Sequence, residues 1–357
     1  MMQKFVWWFF VLLFLGFFLW QGCRKNSEPQ NQLELRGADM SFLPEVRQSS
    51  IRTYNLAHQP EDMLLTLKKV GANTVRLRLW KQPTEPTSAL TTVKQLAQEV
   101  RSLGMKVLLC VHYSDTWADP NNQHKPAQWK NLDFSQLQDS IYQYTKLIVK
   151  EIQPEYIQIG NEINNGFLWS EGHSYHRNQM LALLQKAILA VRQTHPKTQI
   201  MLHFAGIQNA TAFFEGMKTI DYDWAAISYY PLWHGKDLKA VAQTLKEIAR
   251  TTNKKVCIVE TSYPFTLGWN DWTNNVVGEP NQLLPEIAAT PEGQQKFLEK
   301  IAQIVKETPN GSGFCYWGAE WISYKGNQAT NGSSWENQAL WDFQGKALPA
   351  LQVFGKY

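Results

Sequence analysis

Two glutamates that follow apolar, β-branched runs could form a catalytic pair. Glu162 follows "YIQIGN" and Glu260 follows "VCIV". If both face one cleft, one can donate a proton to a leaving oxygen while the other, ionised, attacks or activates water, which is the chemistry of glycoside hydrolysis. The alternative for each is a structural salt bridge with Arg76 or Arg78. Both glutamates occupy the same position, directly after a strand-like run, and Asn161 precedes the first of them. This favours the catalytic interpretation.

The two arginines lie in "NTVRLRLW", where they alternate with Val75, Leu77 and Leu79. In a strand this alternation places both guanidiniums on one face and the aliphatic side chains on the other. If the aliphatic face meets helices, the arginines point inward, where each needs an acceptor such as an ionised carboxylate. Arg78 lies nearer the strand end, so we expect it at the catalytic site, with Arg76 one layer deeper in a structural role.

The elements that must position these residues follow a regular rhythm. Short apolar runs alternate with longer amphipathic stretches in eight strand-then-helix units over residues 33–357. This α/β pattern, with no second linker, predicts a single (β/α)8 TIM barrel whose chemistry lies at the C-terminal ends of its strands. An open doubly wound sheet is disfavoured, because no glycine-rich phosphate loop follows the first strand. Long connections after the third, fourth and seventh strand runs predict long βα loops at that same face.

Composition narrows the classes of function and partner. Charged residues make up 18% of the 357 residues and the formal net charge is only +4, which argues against nucleic-acid binding. The chain contains 15 tryptophans, several of them just after strand runs. Flat indole faces stack on the C–H faces of sugar rings, so a polysaccharide partner is expected.

The N-terminal segment reads as a targeting signal. Residues 1–23, "MMQKFVWWFFVLLFLGFFLWQGC", resemble a lipoprotein-type export signal ending at Cys23, the lipid-bearing cysteine. An uncleaved anchor is the alternative. Residues 24–32 form a polar tether, and Arg24 is not the aspartate that favours inner-membrane retention. We therefore expect an exported protein, anchored in the outer membrane as a lipoprotein, that touches the membrane only through its N-terminus.

Several segments together resemble the signature of a known family. They are "GADMSFLPEV", "VRLRLW", "VHYSDTWADP", "IGNEINNGFLW", "ISYYPLWHG", "VETSYPFT" and "SSWENQALWDFQGKALPAL". In this order they resemble segments of glycoside hydrolase family 53, the endo-β-1,4-galactanases. The resemblance implies a retaining (β/α)8 glycosidase that hydrolyses β-1,4-galactan, or the type I arabinogalactan side chains of pectin, by a two-glutamate double displacement.

The resemblance also implies roles for individual residues. Glu162 is the acid/base, Glu260 is the nucleophile and Asn161 hydrogen-bonds the sugar 2-hydroxyl. Other positions match residues that line the sugar site or shape neighbouring subsites: Arg78, His112, Asp115, Trp117, Trp169, Tyr229 and Trp317. The alternatives for Arg78, His112 and Tyr229 are a structural ion pair, a core histidine and a packed tyrosine.

Two features of the resemblance concern the later loops. No cofactor is required, but some bacterial members bind calcium after strand seven, where "GWNDWTNN" offers Asp271 and Asn275 as ligands for a structural ion. The chain also departs from the pattern "YWEPAWI". It reads "YWGAEWI", so Glu320 lies two positions later than the usual acid.

Two other functions remain open on sequence alone. One is a surface lipoprotein that binds glycans without cleaving them, against which the presence of both glutamates argues. The other is a related barrel glycosidase that acts on another β-glycan, such as a mannan or a xylan.

Overall fold

The structure, a computed structural model, describes residues 32–357. The predicted export signal and all of the tether except Gln32 lie outside the described residues. Leu33–Tyr357 forms one compact unit. Within this part of the chain, none of the helices has both the length and the hydropathy that crossing a membrane requires.

Eight parallel strands close into a barrel within the described residues, which confirms the predicted (β/α)8 fold. Neighbours in the chain are neighbours in the sheet, and the first strand pairs with the last. The strands are β1 (Leu35–Asp39), β2 (Thr74–Leu79), β3 (Lys106–Val111), β4 (Tyr156–Ile159), β5 (Gln199–Ala205), β6 (Trp224–Ser228), β7 (Lys255–Thr261) and β8 (Gly311–Tyr316).

Helices surround this barrel. They are α1 (Leu43–Gln48), α2 (Met63–Lys69), α3 (Leu90–Ser102), α4 (Phe134–Ile152), α5 (Arg177–Thr194), α6 (Ala210–Gly216), α7 (Pro231–His234), α8 (Leu238–Thr252), α9 (Pro291–Lys306) and α10 (Val353–Lys356). Helix α4 shows how local sequence sets an element. Asp133 caps its N-terminus with a capping box to Gln136, Leu137 and Ile141 are buried, and Gln153 caps its C-terminus in the left-handed conformation.

The strands have two packed faces, as the alternation in β2 predicts. Val75, Leu77 and Leu79 belong to the large apolar core between sheet and helices, whereas Arg76 and Arg78 are buried on the other face and line the central cavity. A second apolar cluster fills the barrel interior and comprises Leu35, Leu108, Tyr156, Met201, Trp224, Ala226, Cys257, Val259 and Cys315. The interior of the barrel is therefore packed.

A β-bulge in β7 aims Glu260 into the barrel. Ile227 pairs with Ile258 and Ser228 pairs with Glu260, so the register shifts by one residue between these pairs. Strict alternation from the interior residues Cys257 and Val259 would turn Glu260 outward. The extra residue re-aims its side chain, which is a common use of bulges beside active sites.

A left-handed turn after β4 places the other glutamate. Gly160 has φ +77° and Glu162 has φ +49°. A Cβ on Gly160 would lie 2.5 Å from Cγ2 of Ile163, so only glycine fits there. A glutamate in this conformation is uncommon and costs of order 1 kcal/mol, and such strain often marks functional residues.

Candidate active site

A cavity of about 590 Å³ opens at the C-terminal ends of the strands. Both glutamates line it, together with two arginines, a histidine, an amide and several aromatic rings. The lining includes Arg76, Arg78, His112, Trp117, Asn161, Glu162, Tyr230, Trp233, His234, Glu260, Trp317, Trp321 and Trp335. Side chains from separate strands thus converge on one space, as the barrel prediction requires.

The two carboxylates face each other at short range. One oxygen from each and a ring nitrogen of His203 all lie within 4.8 Å of one another. Ser228 Oγ donates a 2.6 Å hydrogen bond to Glu162 Oε1 and lies 3.4 Å from Glu260 Oε2. Retaining glycosidases hold their carboxyls about 5 to 5.5 Å apart, whereas inverting enzymes need about 6.5 to 9.5 Å. Carboxyl oxygens no more than 4.8 Å apart are closer than the inverting range and favour the retaining arrangement.

Glu260 is held as the ionised partner. Arg76 Nη2 donates to Glu260 Oε1 at 2.6 Å, and the Tyr230 hydroxyl donates to Oε2 at 3.2 Å. Arg76 also binds Asp39 at 2.7 Å and is only 1% exposed. Burial raises the pKa of Glu260, while the positive charge of Arg76 opposes that rise. The ion pair and the hydroxyl donor stabilise the carboxylate form.

Glu162 is held as the protonated partner. Burial, followed by the negative charge of Glu260, raises the pKa of Glu162 to about 8. Both effects disfavour the anion, and no arginine binds this carboxyl directly in the described chain. The pair therefore shares one proton near neutral pH, and it resides on Glu162 because Glu260 has the cationic partner.

A histidine fixes the serine between the carboxyls. His203 Nε2 lies 2.8 Å from Ser228 Oγ, while its Nδ1 lies 2.9 Å from Gln158 Nε2 and 3.3 Å from the Glu162 amide. Burial, and then the charge of Arg76, lowers the pKa of His203 well below its usual value. The neutral ring accepts at Nδ1 and donates at Nε2, so the hydroxyl proton of Ser228 points to Glu162.

Several residues predicted from the sequence lie in this cavity. His112 accepts a 3.0 Å hydrogen bond from the Ala118 amide at Nδ1, which leaves Nε2 as its donor. Asn161 accepts from Arg76 at 2.9 Å and donates to the Ala118 carbonyl at 2.8 Å. Trp117 and Trp317 line the cavity with ring centroids 6.1 Å apart. The structure brings these four side chains together with the glutamates.

The structure corrects the expected roles of the two arginines. Arg76, the deeper one, makes the ion pair with Glu260. Arg78 lines the cavity, but its Nε donates to Ser88 at 2.9 Å and its guanidinium stacks 4.0 Å from the Trp117 ring centre. Aromatic rings, instead of a carboxylate, therefore receive the charge of Arg78.

The structure also corrects the prediction that Tyr229 lines the sugar site. Tyr229 lies outside the cavity lining, and its hydroxyl donates to the Gly235 carbonyl at 2.8 Å. Tyr230 lines the cavity and binds Glu260 instead. The reason is the end of β6, where Ser228 points into the barrel and Tyr229 therefore points out.

Two predicted residues shape loops outside the cavity lining. Asp115 accepts from the amides of Gln82 and Ala127, at 2.9 and 2.8 Å, and so ties down the loop after β3. Trp169 donates from Nε1 to the Asn165 carbonyl at 3.0 Å. A role for either residue in a neighbouring sugar subsite stays a prediction.

The predicted calcium ligands make other contacts. The two carboxylate oxygens of Asp271 accept from the amides of Thr273 and Ser333, and Asn275 Nδ2 donates to the Gly268 carbonyl at 3.2 Å. Among residues 32–357, the acid, histidine and cysteine donors cluster in threes only at Glu162, His203 and Glu260. Ca²⁺ also takes amide and carbonyl oxygens as ligands, so calcium at these two residues stays a prediction.

Glu320, which lies two positions later than the usual acid of the family pattern, contacts a residue that packs against the cavity wall. Its Oε1 accepts a 2.6 Å hydrogen bond from the Phe42 amide, and it is fully buried. Burial and the charge of Asp39 raise its pKa well above the usual value. Phe42 in turn stacks on Trp321 at 4.2 Å. Glu320 therefore acts on the cavity wall indirectly.

Besides Tyr230, sequence reasoning missed further groups at the site. Ser228 and His203 carried no signal, because each reads as one polar residue in an apolar strand. Trp233 and Trp335 lie in segments quoted for the family resemblance, but nothing in those segments shows which ring faces the cavity. Their rings lie 6.0 Å apart, and Trp335 lies 4.7 Å from Trp317.

A (β/α)8 barrel with two facing carboxyls at its strand ends has the arrangement of a glycoside hydrolase. The model of "Glycosyl hydrolase family 53" matches residues 35–354. The chain belongs to this family, which confirms the resemblance found from its motifs.

Individual proteins extend this likeness. The chain is 36% identical over 339 residues to an arabinogalactan endo-β-1,4-galactanase of Cellvibrio japonicus, covering 89% of each chain. A family 53 catalytic domain from Ignisphaera aggregans superposes with a TM-score of 0.85 at 34% identity, covering 90% of this chain and 95% of the other. A structure from a study of two fungal β-1,4-galactanases gives a TM-score of 0.80 at 30% identity, covering 91% of this chain and 100% of the other.

Proposed function

We propose that the protein is a retaining endo-β-1,4-galactanase, which hydrolyses β-1,4-galactan and the type I arabinogalactan side chains of pectin. The observation that carries the proposal is the pair of facing carboxyls, with oxygens within 4.8 Å, of which Glu162 is buried without a cationic partner and Glu260 is ion-paired with Arg76. The names of two relatives support the choice of galactan. Both are called endo-β-1,4-galactanases, and this chain matches each of them over most of its length.

In the first step a covalent intermediate forms. A Glu260 oxygen attacks the anomeric carbon while the bond from that carbon to the glycosidic oxygen breaks. Glu162 gives its proton to the departing oxygen, so the leaving part of the chain departs as a neutral alcohol. Arg76 and Tyr230 orient the attacking carboxylate, and Trp317 offers a ring on which a sugar can stack.

In the second step water releases the sugar. Once Glu260 is esterified its negative charge is gone, so the pKa of Glu162 falls and the carboxylate can take a proton from water. The water oxygen bonds to the anomeric carbon and Glu260 leaves as a carboxylate. Two inversions give net retention. The cycle uses only carboxyl groups and water, so it requires no cofactor.

Hydrolysis of purified β-1,4-galactan by the full-length protein in detergent tests this proposal. Reducing ends should appear, and proton NMR at early times should show the β-anomer before mutarotation. An initial α-anomer would contradict retention. Binding to galactan without release of reducing ends would favour the silent glycan-binding protein. Cleavage of a β-mannan or a xylan in place of galactan would redirect the substrate assignment.

The pH profile should report the proton on Glu162. Because Glu162 must be protonated in the free enzyme, kcat/KM should fall about tenfold per pH unit above about pH 8. The hydrogen bond from Ser228 stabilises the anion and lowers this pKa. Ser228→Ala should therefore move the alkaline limb to higher pH. The measurement is kcat/KM from pH 4 to 10 on an oligogalactan.

Ser228→Thr is the matched control for that experiment, because it keeps the hydroxyl at the same carbon. It should restore the alkaline limb of the unmodified enzyme. A limb that stays in place in Ser228→Ala would show that the hydroxyl does not act on Glu162 in solution.

We further propose that the protein is exported and held at the outer membrane by a lipid on Cys23. Support comes from the sequence alone: an apolar run ends in glycine and cysteine, and a polar tether follows. In a Gram-negative host, labelled palmitate should enter the protein and Cys23→Ala should abolish this labelling. Equal labelling of the variant, or none in either, would contradict lipidation at this residue.

A further inference from the structure

Gln158 is a polar side chain buried in the interior of the barrel. It lies on β4, beside Cys110 on β3 and Met201 on β5, and it is fully buried. Burying an amide costs free energy unless its polar atoms are hydrogen-bonded. Within the described chain, its hydrogen bonds go to neither carboxyl of the pair Glu162 and Glu260. Any effect of Gln158 on the reaction therefore passes through its neighbours.

The two ends of this amide have opposite surroundings. Gln158 Oε1 accepts from Nε and Nη2 of Arg76, each at 3.3 Å. Gln158 Nε2 donates towards the Gly160 carbonyl at 3.1 Å and towards Asn161 Oδ1 at 3.0 Å. Turned by 180°, the amide would point its N–H groups at the guanidinium and its oxygen at two other oxygens. Its orientation is therefore fixed from both sides.

This fixed orientation decides which nitrogen of His203 carries the proton. Two donors face His203 Nδ1, namely Gln158 Nε2 at 2.9 Å and the Glu162 amide at 3.3 Å. Asn161 Oδ1, at 3.2 Å, is an acceptor near the same nitrogen. With Gln158 in place the donors prevail, so Nδ1 is bare and the proton lies on Nε2. Without Gln158, one donor and one acceptor compete, and both tautomers become accessible.

The tautomer of His203 decides where the proton of Ser228 points. With the proton on Nε2, Ser228 Oγ accepts from the ring at 2.8 Å and donates to Glu162 at 2.6 Å. In the other tautomer Nε2 is an acceptor, so Ser228 donates to the ring and the Glu162 carboxylate loses a hydrogen bond. The directed chain of hydrogen bonds begins at Arg76, the cation that also binds Glu260.

We propose that Gln158 is a positioning residue for the acid/base. It takes its orientation from Arg76 and holds His203 in the tautomer that directs the Ser228 proton to Glu162. The inference rests on the proposed galactanase function, and it deepens that function by linking the supports of both carboxyls through one buried amide. Losing this amide should raise the pKa of Glu162, because the hydrogen bond to its anion weakens.

A neutral substitution at Gln158 leaves the charges around this chain in place. The titratable and charged groups that act on Glu162 or on His203 are Arg76, His112, Asp119, Tyr230, His234 and Glu260. Each of them stays in the variant, so a shift in the pH profile would arise from the lost amide.

The first test is the tautomer itself. Gln158→Met keeps a similar volume and removes both polar ends. Cys110→Ala is the matched control, because Cys110 Sγ also lies 3.1 Å from both Gln158 Nε2 and Arg76 Nη2 but stands outside the chain to His203. The full-length protein in detergent is labelled with ¹⁵N-histidine, and His203→Gln identifies the signals of this ring.

Nitrogen NMR distinguishes a bare from a protonated ring nitrogen. The unmodified protein and Cys110→Ala should show a bare Nδ1 and a protonated Nε2 at His203. In Gln158→Met the proton should be shared between both nitrogens. A proton on Nδ1 in the unmodified protein would overturn the inference even if no variant folded, and so would an unchanged tautomer in Gln158→Met.

The second test is kcat/KM on an oligogalactan from pH 4 to 10. The alkaline limb of Gln158→Met should move up by as much as about one pH unit, the size of one hydrogen bond to a charged group, and that of Cys110→Ala should stay. In the double variant with Ser228→Ala, Gln158→Met should add no further shift, because its effect passes through Ser228. Additive shifts would contradict the chain. Inactivity of the unmodified protein on galactan would overturn the proposed function and the effect on Glu162, whereas the NMR result on the tautomer would stand.

Discussion

Glu260→Ala should lower kcat on galactan about 10⁴-fold, because no side chain remains to form the covalent intermediate. Glu162→Ala should cost a similar factor on galactan, whose sugar leaving group needs the proton. On a 4-nitrophenyl β-galactoside, however, the phenolate leaves without protonation. Glu162→Ala should therefore form the intermediate at a nearly normal rate on that substrate and stall at its hydrolysis.

Added azide separates the two roles. In Glu260→Ala, azide takes the space of the lost carboxylate, attacks from the same face and expels the phenolate, which gives the α-galactosyl azide by a single inversion. In Glu162→Ala, azide attacks the ester on Glu260 from the opposite face and gives the β-galactosyl azide. NMR of the products distinguishes the anomers. The reverse pairing would exchange the two roles, and a failure of azide to rescue either variant would contradict the double displacement.

A matched control shows that these losses come from the site. Glu215→Ala removes a glutamate on the exposed surface, where its partner Lys218 is also exposed. Exposed ion pairs contribute about 0 to 1 kcal/mol, so this variant should keep full activity and nearly the same melting temperature. Melting curves of all three variants, recorded together, separate lost chemistry from lost structure.

The barrel could be predicted because its signal is repeated. Each unit pairs a short apolar run with an amphipathic helix, and the alternation around Arg76 and Arg78 fixes which face of β2 points inward. Parallel strands bring their C-terminal ends to one rim, so Glu162 and Glu260 could be placed in one cleft before any coordinates. These predictions depend only on period and topology.

The finer geometry of the site depends on local departures from the two-residue alternation of a strand. The bulge at Val259 turns Glu260 inward, and the serine at the end of β6 leaves Tyr230, not Tyr229, beside it. A bulge leaves one residue of the strand unpaired, and the amino-acid composition of the strand does not reveal it. The sequence alone therefore shows that a tyrosine lies near this strand end but not which of the two neighbours turns inward.

The two arginines show the same limit of prediction from sequence, here for a contact between distant strands. Proximity to the strand end favoured Arg78, but side-chain reach decided the pairing. From the middle of β2, Arg76 extends towards the strand ends and binds both Asp39 and Glu260. Arg78 starts nearer the rim and is enclosed by rings, among them Phe42 at 4.6 Å and Trp117 at 4.0 Å. An arginine side chain spans several ångströms, so its charge lies well away from its Cα.

Replacing Arg76 should therefore have a larger effect than replacing Arg78. In Arg76→Met both Asp39 and Glu260 lose their cation in a buried site, which should lower the free energy of unfolding by about 3 to 5 kcal/mol. Without that positive charge the pKa of Glu260 rises further. The acid limb of kcat/KM should move to higher pH, and kcat at its optimum should fall about 10³-fold. Urea unfolding and pH profiles measure both effects.

Arg78→Met is the matched control, since it removes the same group two residues along the same strand. It loses the hydrogen bond to Ser88 and the ring contacts, but no ion pair among the described residues. Its acid limb should stay with that of the unmodified enzyme, although sugar binding weakens through the displaced Trp117. Arg76→Lys sharpens the comparison, because one ammonium cannot reproduce two donors aimed at separate carboxylates. An acid limb that moved in Arg78→Met and stayed fixed in Arg76→Met would return the role of ion-pair partner to Arg78.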